Sequence, residues 1–335
     1  MTITRSWQLT AHPVGTPTLH DFTLVEHPLP QVAAGQVLVR NTALSVDPYM
    51  RGRMNAAKSY AESYRLGETM WGGAVGEVIE SRTPGIVVGD TVLHGLGWRE
   101  HAVVPGNEAR LVDTTAAPDS AYLGVLGMTG LTAWVGLVQI AQLQEGETVF
   151  ISGAAGAVGS IAGQLAKLRG CTVIGSAGTA DKVNWLTGEL GFDAAFNYKD
   201  APVAQQLAQA APDGIDVYFD NVGGDHLQAA IGALKPFGRA AICGMISRYN
   251  DTAPQPGPVN LPLLVANRLR IQGFLVFDHA HLTKQFLAEA KPALADGRLK
   301  NREMVGEGLE QMPEAFLGLL RGDNTGKMIV RVAAA

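Results

Sequence analysis

The spacing in Gly153-Ala154-Ala155-Gly156-Ala157-Val158-Gly159 says the most about chemistry in this chain. Small residues let a backbone turn tightly and bring its N–H groups against a phosphate, whose charge the start of a following helix favours. Gly156, Ala157, Val158 and Gly159 are therefore expected to hold a pyrophosphate. Where the ribose 2′-hydroxyl is free, an acidic residue usually follows about 20 positions on. Here that region reads Gly175-Ser176-Ala177-Gly178-Thr179, with Lys182 one helical turn later. Small residues beside a cation suit a 2′-phosphate, which favours NADPH over NADH. Lys182 beside Asp181 would equally make an ordinary solvated helix residue.

Metal chemistry is the next test. Catalytic zinc needs three Cys, His or carboxylate ligands, and structural zinc typically four Cys. Cys171 and Cys243 are the only cysteines. Both lie in apolar segments and read as free, buried thiols in a reducing cytoplasm. His279 and His281 stand two apart beside Asp278, without a convincing third ligand. If no metal polarises a carbonyl, charge growing on its oxygen needs a hydrogen-bond donor. Tyr249 is the best candidate, because it follows the fifth strand of a sheet whose ligands bind beyond the carboxyl ends of the strands.

Those strands are legible as an alternation. From about 148 to 277, short β-branched runs alternate with helical segments, which implies parallel strands joined by crossover helices. The expected strands are 148–152, 171–175, 194–198, 215–220, 239–243 and 271–277, a doubly wound dinucleotide fold. The first 120 or so residues carry short strands such as 36–40, 74–80 and 91–93, cut by Gly, Pro and Asp, and suggest a partly closed barrel. After a helix over 282–295 the tail reads as strand, short helix and strand, with 327–332 expected to return to the first domain. The division that follows is 1–125 with 298–335, and 126–297.

Composition agrees with this picture. At 335 residues, two domains are expected, and 47% hydrophobic with 17% charged residues is globular. A net charge of −5 argues against nucleic acid or an anionic membrane as the main partner. The uncharged stretch 121–141 is long enough to span a bilayer. Its glycines, threonines and Gln139, without a basic flank, instead suggest buried helices at a domain junction. No secretory signal is visible over 1–13.

Several separate segments then resemble one family over nearly the whole chain. Asp47-Pro-Tyr-Met-Arg-Gly-Arg-Met54, Leu126-Gly-Met-Thr-Gly-Leu-Thr-Ala133, Ala154-Ala-Gly-Ala-Val-Gly159, Phe219-Asp-Asn-Val-Gly-Gly224 and Cys243-Gly-Met-Ile-Ser-Arg-Tyr-Asn250 look like the zinc-independent medium-chain dehydrogenase/reductases. They are most similar to the prostaglandin/leukotriene reductase, alkenal double-bond reductase and curcumin reductase group. The resemblance implies a Rossmann-type doubly wound parallel sheet plus a GroES-like β-barrel domain, usually as a homodimer. It implies NADPH-dependent reduction of a carbon–carbon double bond conjugated to a carbonyl. Where zinc-dependent relatives carry Cys-His-x-Asp and Gly-His-Glu, this chain reads Ser45-Val46-Asp47 and Gly72-Gly73-Ala74.

The resemblance also transfers site residues. It supports Tyr249 and adds Tyr49 and Tyr60 from the barrel side of the cleft, although an aromatic beside Pro48 is more often packing. Cofactor contacts carried over are Tyr198, Asn221, Gly244, Met245, Ile246, Ser247, Phe274, Leu275, Val276 and Asn324. Each could instead be an ordinary strand-end or turn residue. Arg51 and Arg53 suit either an anionic substrate tail or a surface salt bridge. A quinone oxidoreductase and a noncatalytic NADPH-binding protein are the alternatives on the same scaffold.

Overall fold

A computed structural model of the chain describes residues 3–57 and 59–332, which divide into two compact units: 1–123 with 303–335, and 124–302. The first unit opens with β1 (Ile3–Leu9), β2 (Phe22–Pro28) and β3 (Gln36–Ser45). A five-residue helix α1 (Tyr49–Arg53) follows, then β4 (Ala74–Ser81), β5 (Thr91–His94), β6 (His101–Pro105) and β7 (Arg110–Leu111). The second unit runs α2 (Met128–Val135), β8 (Thr148–Ile151), α3 (Ala157–Leu168), β9 (Thr172–Ala177), α4 (Ala180–Gly188) and β10 (Ala194–Asn197). It continues through α5 (Val203–Ala210), β11 (Ile215–Asp220), α6 (Gly224–Ala233), β12 (Leu234–Ile242), α7 (Pro262–Ala266), β13 (Arg270–Gly273) and α8 (Thr283–Ala295). The chain then returns to the first unit with β14 (Glu303–Glu307), α9 (Met312–Arg321) and β15 (Lys327–Arg331).

In the first unit β3 is the organising strand. It pairs antiparallel with β4 along one edge, and on the other with β6 over Gln36–Arg40 and with β15 over Ala43–Ser45. Sharing one edge between two partners curls the sheet, and register shifts near Leu38 and Asn41 sharpen the bend. Gly76 sits at the second shift, where a Cβ would lie 2.3 Å from the Arg40 carbonyl oxygen. Trp98, fully buried, stacks on Phe22 and meets Phe316 of α9 edge-on, which ties the returning tail into the core of this unit.

The second unit has the parallel order β10-β9-β8-β11-β12-β13. Its central strands are buried on both faces, with Val149, Phe150, Ile151, Val217, Tyr218 and Phe219 all at 0% exposure, which explains their unbroken apolar runs. The segment 121–141 folds as a 3-10 turn, α2 and a π turn over Gly136–Ile140. Among the described residues no helix is long and apolar enough to cross a membrane.

In the second unit two strand limits differ from expectation by more than two residues. β12 begins at Leu234 rather than Arg239, because Leu234 already pairs with Ile215 and Phe237 takes a positive φ where the local pattern suggested a turn. The sixth strand stops at Gly273 and does not continue through Phe274, Leu275 and Val276. Its neighbour β12 ends at Ile242, opposite Gly273, so no ladder remains to extend. Phe274 turns inward edge-on to Phe219, and Val276 starts a 3-10 turn.

Candidate active site

In the second unit the glycine loop, Asn221 and the segment 244–249 meet at the carboxyl ends of β8, β11 and β12. The glycine requirement is steric. Gly153 has φ of +58°, and a Cβ on Gly159 would sit 2.5 Å from the Gly153 carbonyl oxygen. Helix α3 begins after its N-cap Gly156, which supplies no side-chain cap, so the backbone donors of its first turn are not taken by a capping side chain. Donors of this kind at a helix start suit a negatively charged group such as a pyrophosphate.

Asp220, to which the sequence reading gave no role, organises the neighbouring loop. Fully buried, its Oδ1 accepts from Ser152 Oγ at 3.0 Å, Tyr218 OH at 2.7 Å, Val222 N at 2.9 Å and Gly223 N at 2.8 Å. The signal was available, since an Asp closing a buried strand before Asn-Val-Gly-Gly is an Asx-turn pattern. Asn221 donates from Nδ2 to the Ser152 carbonyl at 2.7 Å, locking the end of β11 to the end of β8. Ile246 N bonds Asn221 O, and Ser247 bonds Val222 O through both its N–H, at 3.2 Å, and its hydroxyl, at 2.6 Å. Gly244, Met245, Ile246 and Ser247 are thereby gathered with Asn221. The Tyr249 hydroxyl lies 3.1 Å from the point a Cβ on Gly244 would occupy, so a Cβ there would require it to shift by a few tenths of an ångström. Cys243 lies between these loops, its thiol pushed up to about 12 by burial and then by Asp220.

Lys182 sits in the first turn of α4, where Thr179 caps the helix by accepting from Lys182 N at 3.3 Å. Tyr198, 41% exposed, packs its ring over Gly178, with its hydroxyl 3.3 Å from a Cβ placed there, and edge-on to His226. Lys182, through its backbone bond to Thr179, and Tyr198, through its ring on Gly178, both border the small-residue turn 175–179. Phe274 faces Phe219 and His279. Leu275 is 37% exposed. Asn324 belongs to the first unit, in the turn before β15, and its side-chain amide donates to Gly326 O at 2.8 Å.

In the first unit Tyr49 opens α1, half-buried, with its hydroxyl near the Gly72-Gly73 backbone. Burial, then Asp47, raises its phenol above the ordinary range, while Arg53 and the Gly73 backbone act the other way. Tyr60 is 63% exposed. Arg51 and Arg53 are not a surface salt bridge. Both are buried, because Arg51 donates to Pro13 O, Gly15 O and Asn55 Oδ1, and Arg53 stacks on Trp71.

The position that in zinc enzymes carries ligands is spent on a different device. Asp47 Oδ1 accepts from Lys327 Nζ at 2.8 Å, its other oxygen accepts from Ser45, and both ends of the ion pair are at most 3% exposed. Among the described residues no three His, Cys, Asp or Glu side chains group to hold a metal ion. These residues do not fit a zinc centre.

Comparison with known proteins places the chain in a family. Residues 5–112 match a family described as the N-terminal domain of oxidoreductase, and residues 157–291 match one described as zinc-binding dehydrogenase. Prostaglandin reductase 1 of Bos taurus is 44% identical, covering 98% of both chains. The NADPH-dependent curcumin reductase of Escherichia coli is 42% identical over 98% of this chain and 97% of its own. The crystal structure of CurA from Vibrio vulnificus in complex with NADPH superposes with a TM-score of 0.95 at 42% identity, covering 99% of this chain and all of that one.

Proposed function

Because the chain belongs to the zinc-independent medium-chain dehydrogenase/reductases, in the group of prostaglandin, curcumin and 2-alkenal reductases, we propose that it reduces the carbon–carbon double bond of α,β-unsaturated ketones and aldehydes with NADPH. The observation that carries the reading is the uncapped, glycine-built start of α3, joined by Asp220 and Asn221 to the loop that holds Tyr249. NADPH, bound by the backbone of Gly156–Gly159 with Lys182 and Tyr198 at its 2′-phosphate, supplies the hydride. The remaining work falls to the chain. Conjugation makes the β-carbon electrophilic, and as it gains hydride the carbonyl oxygen becomes an enolate oxygen. Tyr249 donates its phenolic hydrogen bond to that oxygen. A bond that strengthens as charge develops lowers the barrier more than it aids binding.

The test follows the label. With an alkyl enone and cofactor deuterated at the transferred position, the expected product is the saturated ketone labelled at the β-carbon. An allylic alcohol labelled at the carbonyl carbon would overturn the reading, and turnover of quinones in preference to every enone would replace its substrate class.

The reading includes a cytoplasmic homodimer. Among the described residues β13 leaves one edge of the six-stranded sheet unpaired, and the apolar Val265, Phe277 and Leu275 around it in sequence are 82%, 59% and 37% exposed. Such an edge invites a second copy. The free cysteines suit a reducing compartment. A solution mass by light scattering equal to one 35.3 kDa chain would refute the dimer.

A further inference from the structure

His226 is a buried imidazole whose polarity goes unused. It is 5% exposed in the first turn of α6, and its Nε2 has no hydrogen-bond partner among the described residues. What it has instead are ring contacts. Phe150 lies almost parallel to it at 6.4 Å between centroids, and Tyr198 meets it edge-on at 5.3 Å. Burial lowers its pKa against the opposing pull of Asp220 and Asp225, so the ring stays neutral. A buried nitrogen without a partner costs free energy that a hydrocarbon ring in its place avoids. Tyr198, by contrast, is 41% exposed. Its main chain is pinned, with its N–H donating to Ala177 O at 3.1 Å where β9 ends. Its side chain is set by packing: the ring edge lies 3.2 Å and the hydroxyl 3.3 Å from a Cβ built on Gly178, and His226 meets the ring edge-on. An exposed tyrosine keeps its rotamer freedom unless a neighbour stops it. His226, backed by the fully buried Phe150, is such a stop, and all four residues belong to the second unit.

We propose that His226 is a positioning residue for cofactor selectivity: as a flat ring it holds Tyr198 over the turn 175–179 and so favours a ribose 2′-phosphate over a free 2′-hydroxyl. The inference rests on the reading that puts Lys182 and Tyr198 at the 2′-phosphate of NADPH, and adds what holds the second of them in place. A hydroxyl already standing over the turn needs little ordering when the phosphate arrives, so its hydrogen bond is gained at less cost. NADH brings no phosphate to that hydroxyl and gains nothing from the arrangement. The role calls for a ring, and neither a proton nor a hydrogen bond from His226 enters it. The unpartnered Nε2 agrees with that. Whatever His226 contributes to binding therefore passes through Tyr198.

Equilibrium titration of the full chain with NADPH and with NADH tests each of these points. His226→Ala is expected to weaken NADPH about 3- to 10-fold, the size of an aromatic pair, and to leave NADH within about twofold. His226→Gln keeps hydrogen-bonding atoms and loses the ring, so it should match His226→Ala without opening as large a cavity. His226→Phe keeps a ring and loses those atoms, so it should bind NADPH within about twofold of the wild type. In a Tyr198→Ala background, His226→Ala should cause no further loss. Equal weakening of both cofactors, a loss that persists without Tyr198, or recovery by Gln and not by Phe overturns the proposal. Each of those results leaves the wild-type preference for NADPH, and so the cofactor reading, intact. A wild type that binds NADH as tightly as NADPH would instead sink the 2′-phosphate reading, and the role of His226 with it.

Discussion

Around Gly153–Gly159 and Gly244–Tyr249 the polar contacts run largely through backbone groups close to strand ends, whereas around Asp47–Arg53 they run through side chains. In the first region Cys243 N and Gly244 N bond Asp220 O, Ile246 N bonds Asn221 O, and Ser247 N bonds Val222 O. In the second, Lys327 reaches Asp47 across 280 positions of chain and also bonds Val46 O. A backbone cradle loses little when one polar side chain goes. A buried charge network fails when one member goes, because the other is left without a partner.

The largest expected effect tests that contrast directly. Lys327→Met leaves the Asp47 carboxylate buried beside Ser45 alone and should cost about 3–5 kcal/mol in urea unfolding. Adding Asp47→Asn to it should recover much of the loss. Ser247→Ala removes a hydroxyl bond at an exposed position of the other region and should cost about 1 kcal/mol or less. Similar losses for the two single variants would break the comparison.

Next in size is the donor. Tyr249→Phe should lower kcat by about 10²–10³ with little change in KM, as for loss of one oxyanion donor. Tyr60→Phe, at an exposed position, should stay near wild type. If the two variants exchanged behaviour, Tyr60 would be the donor. Smaller again is the phosphate contact. Lys182→Ala should weaken NADPH roughly 10–100-fold in titration calorimetry, the size of a charge-assisted hydrogen bond, and leave NADH nearly unchanged. Equal weakening of both cofactors would place the lysine elsewhere.

The same contrast explains what could be read from sequence. Strand-loop-helix with Gly153, Gly156 and Gly159 is local, so both the parallel sheet and the phosphate cradle were legible. Asn221 and 244–247 were named through the family resemblance, and only Tyr249 through its place after the fifth strand. Phe274–Val276 were misassigned to a strand because an apolar run does not reveal where its partner strand ends. Arg53 between Trp71 and Tyr49, and Asp47 beneath Lys327, join residues far apart in the chain through side chains. Nothing in the spacing of Asp47-Pro-Tyr-Met-Arg-Gly-Arg distinguishes a buried cation from a surface one.

Side-chain networks should also respond to protons, and His94 offers the sharpest measurement. It is buried, its Nδ1 accepts from Leu96 N at 3.1 Å, and Nε2 therefore donates to Asn41 Oδ1 at 2.9 Å. Asn41 in turn donates to Leu96 O and Arg99 O. A second proton on the ring would displace the Leu96 N–H bond in a dry site. Burial, then Arg99, accordingly lowers the imidazole from 6.5 to about 3. Well above 6.5 both folded and unfolded forms are neutral at this residue, so it adds no pH dependence there. Below that, the unfolded chain takes up a proton the folded one refuses, and stability falls until the pH nears 3. Between pH 6.5 and pH 5 His94 alone should remove about 1.6 kcal/mol. His94→Gln, less stable at pH 7 for want of the paired bonds, should lose less than the wild type over the same interval. Parallel losses in urea titrations of the two proteins would mean that the ring is free to charge in the folded state.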